Sequence, residues 1–178
     1  MKKTIFICIF ILVTKMASAD IDYAGVAPQF GFMQRYGVDE FKNSWGIRGR
    51  LKMDNRGIDI EASYLYENHT QYGVKVNTFP LTASYLYYPT YFLYLKAGAG
   101  FNFVEYIESY EQILDEYRHE TIGVLQLGVG GELELNSWLF LNAETRYVIQ
   151  DSDVEYLPLH KDFNYYFWLN FNLFFKLY

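Results

Sequence analysis

The chain of 178 residues carries a single cysteine, Cys8, and no long apolar run outside its first nineteen residues. It also lacks a basic excess, having 15 Lys and Arg against 21 Asp and Glu, and it has only three histidines. Each shortage excludes something. Without a second cysteine no internal disulfide can form, so a small disulfide-stapled secreted domain is ruled out. Without a long apolar helix the chain is no helical membrane protein. Nothing in its charge suggests nucleic acid.

The one apolar run belongs to a secretory signal. Lys2 and Lys3 give a positive start, Thr4 to Thr14 is apolar, and Ala17-Ser18-Ala19 fits the small-x-small cleavage rule, with Asp20 as the mature N-terminus. Residues 1–19 are therefore read as signal peptide and 20–178 as one domain. Ile5-Phe6-Ile7 before Cys8 has none of the small residues of a lipobox. Cleavage removes Cys8, Lys2, Lys3 and Lys15, and leaves twelve basic against 21 acidic side chains, a formal charge of −9.

What the chain has in excess is aromatic residues, 20% of the total, at near-neutral hydropathy. Transmembrane strands reconcile the two, because each is about ten residues long and half of it can be polar. Phe163 to Tyr178 shows the pattern most fully. Phe163, Tyr165, Phe167, Leu169, Phe171, Leu173, Phe175 and Leu177 form one apolar face, whereas Asn170, Asn172 and Lys176 stand on the other.

Seven earlier segments alternate likewise: about 22–33, 45–53, 58–66, 79–88, 91–104, 121–135 and 139–149. In the second, Trp45, Ile47, Leu51 and Met53 oppose Arg48, Arg50 and Lys52; in the third, Ile58, Ile60, Ala62, Tyr64 and Tyr66 oppose Asp59, Glu61 and Ser63. A two-residue loop at Asn55-Arg56 would set Lys52 against Asp59 and Arg50 against Glu61. In the fifth and sixth segments glycines share the polar face with Lys96, Glu132 and Glu134, leaving space for long side chains from neighbouring strands. The seventh puts Glu144 and Arg146 on that face.

Short turns near 55, 89 and 137 alternate with long polar connections near 38, 72, 112 and 156, as in bacterial outer-membrane barrels. The expected fold is an all-β, eight-stranded antiparallel up-and-down transmembrane β-barrel. Aromatics support it with two membrane-interface girdles: Trp45, Tyr64, Tyr66, Tyr147, Phe163 and Tyr165 at the outer strand ends, and Tyr85, Tyr87, Trp138 and Phe175 at the inner ends. The inward charges form a lumen network of Arg48, Arg50, Lys52, Lys96, Arg146 and Lys176 with Asp59, Glu61, Glu132, Glu134 and Glu144.

The passage Gly128-Val129-Gly130-Gly131-Glu132 through Asn142-Ala143-Glu144-Thr145-Arg146-Tyr147 resembles the small eight-stranded outer-membrane barrels of the OmpX and OmpA type, and the resemblance covers nearly all of the mature chain. It implies an outer-membrane location, contact with lipids and lipopolysaccharide, help from the barrel-assembly machinery and a monomeric state. The last strand departs from the usual assembly signal, since Phe175 and Leu177 hold the outward phase and Tyr178 lies one residue beyond. No OmpA-type peptidoglycan-binding domain is expected after the barrel, so the resemblance does not imply anchoring to the cell wall.

A packed lumen with outward loops for adhesion or envelope integrity is the expected role. The alternatives are a narrow porin-like channel, and a soluble lipocalin-like barrel with the apolar face inside. No cofactor, metal or catalytic residue is expected. His69, His119 and His160 fall in three separate connections, the acidic run from Glu105 to Glu120 reads as a solvated loop, and Ser109 and Ser152 are not in the His-x-Ser-Asn arrangement of the lipid A deacylases.

Overall fold

The alternation closes on itself. In the computed structural model, which describes residues 21–35, 41–69, 74–110, 114–151 and 165–177, eight antiparallel strands form a closed barrel in sequence order. They are β1 Tyr23–Arg35, β2 Lys42–Met53, β3 Arg56–His69, β4 Val74–Tyr87, β5 Leu93–Tyr110, β6 Leu114–Asn136, β7 Leu139–Asp151 and β8 Tyr165–Lys176. β8 pairs with β1, for example Phe171 with Phe30 and Phe175 with Val26, so no sheet edge is left open.

The period of two decides which face is which. Ile60, Leu125, Leu127 and Leu133 are each 60–61% exposed on the outside, while Arg48, Asp59, Glu61, Glu144 and Arg146 are at most 1% exposed inside. A soluble barrel would reverse this arrangement. An apolar exterior around a charged, internally paired interior is what a bilayer demands, and it excludes the lipocalin-like alternative.

The register of β2 and β3 differs from the sequence expectation. Met53 pairs with Arg56, so Asp54-Asn55 is the loop, and Asp54 takes the left-handed φ of 50°. Every partner consequently moves two residues along β3: Arg50 faces Asp59, Arg48 faces Glu61, and Lys52 faces Gly57. Met53, expected outward, is buried beside the turn, where the strand ends.

The strands also run further on the loop side. β5 and β6 stay paired to Tyr110 and Leu114, so most of 105–120 is strand rather than a long loop, and β3 and β4 stay paired to His69 and Val74. Val76, Val104, Tyr106 and Ile122 pack together along this extension, which gives the added hairpins an apolar seam.

Candidate functional site

The inward residues of all eight strands converge in one stack of layers. Nearest the short turns, Glu132 Oε1 accepts hydrogen bonds from the Tyr23 hydroxyl (2.9 Å), the Tyr88 hydroxyl (2.8 Å) and the Arg50 guanidinium. Lys52 Nζ lies 3.5 Å from Glu132 Oε2 and donates to the Tyr91 carbonyl at 3.1 Å. One layer in, Arg50 grips Asp59 with two bonds, Nε to Oδ1 at 2.6 Å and Nη2 to Oδ2 at 2.7 Å. Its guanidinium stands over the rings of Tyr94 and Phe174, at 4.6 and 4.7 Å.

The middle layer joins strands from opposite walls. Arg48 donates to both oxygens of Glu144 (3.0 and 2.9 Å) and to Glu61 (2.9 Å), while Lys96 donates to Glu144 at 3.1 Å. Arg146 donates twice to Glu61 and once to Gln126 Oε1 (2.9 Å), and its guanidinium lies 4.0 Å from the Trp168 ring centroid. Trp168 in turn donates to Ser44 Oγ at 2.7 Å. On the loop side Met33, Leu65, Val124, Val148, Tyr166 and Trp168 form an apolar cap inside the lumen.

Among the described residues the fully buried charges balance. Arg48, Arg50, Lys52, Lys96 and Arg146 stand with Asp59, Glu61, Glu67, Glu132 and Glu144. The ions of the stack described above have opposite charges or donors around them, without which the desolvation of each would cost several kcal/mol. The interior is a cross-linked plug that spans the width of a barrel of this strand number.

Nine of the eleven expected network residues lie in this stack. Glu134 does not: it is exposed, because the β5 pairing ends at Gly131 and a register shift between Glu134 and Asn136 carries this end of β6 past the rim. Lys176 is half-buried at the same mouth, 5.9 Å from the Phe140 ring centroid. Sequence reasoning missed Glu67, which it assigned to a connection, and the hydroxyl and indole donors of Tyr23, Tyr88, Tyr94 and Trp168. Their inward parity was the available signal for those lying within strands.

Of the expected girdles, Trp45, Tyr66, Tyr87, Trp138, Tyr147, Tyr165 and Phe175 are exposed on the outside, and Tyr64 and Tyr85 are partly exposed. Stacked pairs link Trp138 with Phe175 at one end and Tyr147 with Tyr165 at the other. Phe163, His160 and Ser152 lie outside the described residues, as do the side chains of His69 and Ser109. His119 sits in β6 rather than in a loop, 71% exposed, with Nδ1 3.9 Å from Glu105 Oε1.

A closed antiparallel eight-stranded barrel with a lipid-type exterior and a salt-bridged interior defines the class: the chain has the fold of the small outer-membrane β-barrels. Solved structures agree. It is similar to Neisserial surface protein A (13% identity, TM-score 0.60, covering 87% of this chain and 96% of that one). It is also similar to outer membrane protein H (OprH) of Pseudomonas aeruginosa (17%, 0.55, 87% and 99%). A third is Ail, the attachment invasion locus protein of Yersinia pestis (10%, 0.55, 87% and 97%). No protein-family model and no curated protein matches the sequence.

Proposed function

We propose that the chain is a monomeric outer-membrane protein whose plugged barrel is a rigid platform, holding the loop-side strand ends outside the cell for adhesion, surface contact or envelope integrity. The observation that carries this reading is the lumen itself. Cross-strand ion pairs through Arg48, Glu61, Glu144 and Arg146, capped by the apolar layer around Trp168, leave the barrel to serve as a scaffold rather than a pathway. The Neisserial neighbour is named a surface protein and the Yersinia neighbour an attachment protein, which is the role the platform suits. Short turns then face the periplasm, and lipopolysaccharide surrounds the outer girdle. The barrel-assembly machinery inserts the chain. The exposed strand ends, not a catalytic centre, carry the activity.

The test is cell fractionation with heated and unheated electrophoresis, followed by planar-bilayer recording. The expected result is an outer-membrane band whose mobility shifts on heating, with no discrete conductance steps. A soluble periplasmic protein, or steady stepwise conductance of the intact barrel, would overturn the reading.

A further inference from the structure

On the turn side of the plug the lumen widens into a cavity of about 500 Å³. That is within the range of small-molecule sites, roughly 300–1,000 Å³. Tyr23, Tyr91 and Phe140 supply aromatic wall, and four carboxylates, Asp22, Asp54, Glu132 and Glu134, face two ammonium groups, Lys52 and Lys176. The excess of acid makes the mouth attractive to cations.

Glu132 marks the place. It is only 8% exposed, and although Oε1 receives Tyr23, Tyr88 and Arg50, Oε2 accepts no hydrogen bond, its ion-pair partner Lys52 Nζ standing off at 3.5 Å. A buried carboxylate oxygen in that condition favours any donor that reaches it. Lys52 shows how the surroundings treat an ammonium: its Nζ stands over the rings of Tyr88 (4.1 Å) and Tyr91 (4.8 Å) and donates to the Tyr91 carbonyl. Beyond Lys52 and Lys176, the carboxylates of Asp22, Asp54 and Glu134 form the anionic rim. The Tyr91 hydroxyl, 3.3 Å from Glu134 Oε2, ties that carboxylate to the cavity wall.

We infer that this mouth is a binding site for an organic ammonium, presented either by a free linear diamine or polyamine or by the side chain of a basic peptide. Its chemistry is carboxylate pairing along an aromatic wall, and neither neutral nor anionic molecules of the same length share it.

The test uses the full-length mature barrel in detergent micelles, titrated calorimetrically with cadaverine, with pentanediol and glutarate as neutral and anionic matches. The variant is Asp54→Asn combined with Glu134→Gln. Both positions are exposed and outside the plug, and the variant's heat-dependent mobility shift should equal the parent's. Saturable cadaverine binding, weakened about tenfold in the variant and absent for both matches, upholds the site. No saturable cadaverine binding, equal binding of glutarate, or an unchanged affinity in the folded variant overturns it. Competition by an end-blocked lysine tripeptide then names the source. Displacement assigns a basic side chain, failure to displace assigns a free amine, and either result upholds the ammonium site.

Discussion

Arg146 on β7 and Glu61 on β3 share a doubly hydrogen-bonded contact across the lumen, although 85 residues and three intervening strands separate them. Neither residue belongs to a strand neighbouring the other's. The contact exists because closure of the sheet brings opposite walls to within two side-chain lengths.

Removing Glu61 should therefore be costly. Glu61→Ala leaves Arg48 and Arg146 each short of a carboxylate in a water-poor interior, a loss of about 3–5 kcal/mol when a buried pair is broken from one side. The urea midpoint of unfolding from lipid vesicles measures it. Glu134→Ala at the exposed rim should stay within about 0.5 kcal/mol of the parent. Equal effects at the two positions would show that the plug does not stabilise the barrel.

Gly130 and Gly49 make a paired test of lumen packing. A Cβ at Gly130 would overlap the Tyr94 ring, displacing a hydroxyl that donates to Glu144 at 2.7 Å, whereas a Cβ at Gly49 meets nothing within 4 Å. Gly130→Ala should lower the temperature of the electrophoretic shift by an amount corresponding to about 1–3 kcal/mol. Gly49→Ala should leave it unchanged or raise it slightly.

The three tryptophans divide between lipid and lumen. Trp45 and Trp138 are 61% and 54% exposed on the outside, and Trp168 is 2% exposed inside. In single-tryptophan variants reconstituted with brominated lipids, fluorescence from Trp45 and Trp138 should be quenched strongly and that from Trp168 hardly at all. Strong quenching of Trp168 alone would mean the two faces are inverted.

Alkaline stability depends in part on Tyr88, in the turn after β4. Burial pushes its phenol far above the ordinary value of 10.0, as does the Glu132 carboxylate, while Arg50 opposes the shift. A group raised in the folded state contributes stability that is complete below its unfolded pKa and declines as pH rises beyond it. The barrel should thus lose stability progressively above about pH 10, and Tyr88→Phe should flatten that decline. The slope of unfolding free energy against pH distinguishes the two.

Several features were legible before any tertiary information. The inward placement of Arg48, Arg50, Asp59, Glu61, Lys96, Glu144 and Arg146 and the outward girdles follow from a side-chain period of two, and the short turns from the turn-forming residues between the alternating segments. The β2–β3 register was not legible, because loops at Asp54-Asn55 and Asn55-Arg56 leave every side chain on the same face and differ only in which pairs meet. The length of β5 and β6 was hidden too, since their loop-side halves carry acidic residues that read as connection.

By itself the sequence determined that eight alternating strands would present an apolar face and a charged face, because pleating is a local property of the backbone. Only the tertiary structure decided that Arg146 meets Glu61, that Trp168 covers Arg146, that Tyr94 fills the space at Gly130 and that Glu134 leaves the lumen. Those outcomes depend on stagger and closure, which set distances between residues far apart along the chain and have no counterpart in the spacing of any one strand.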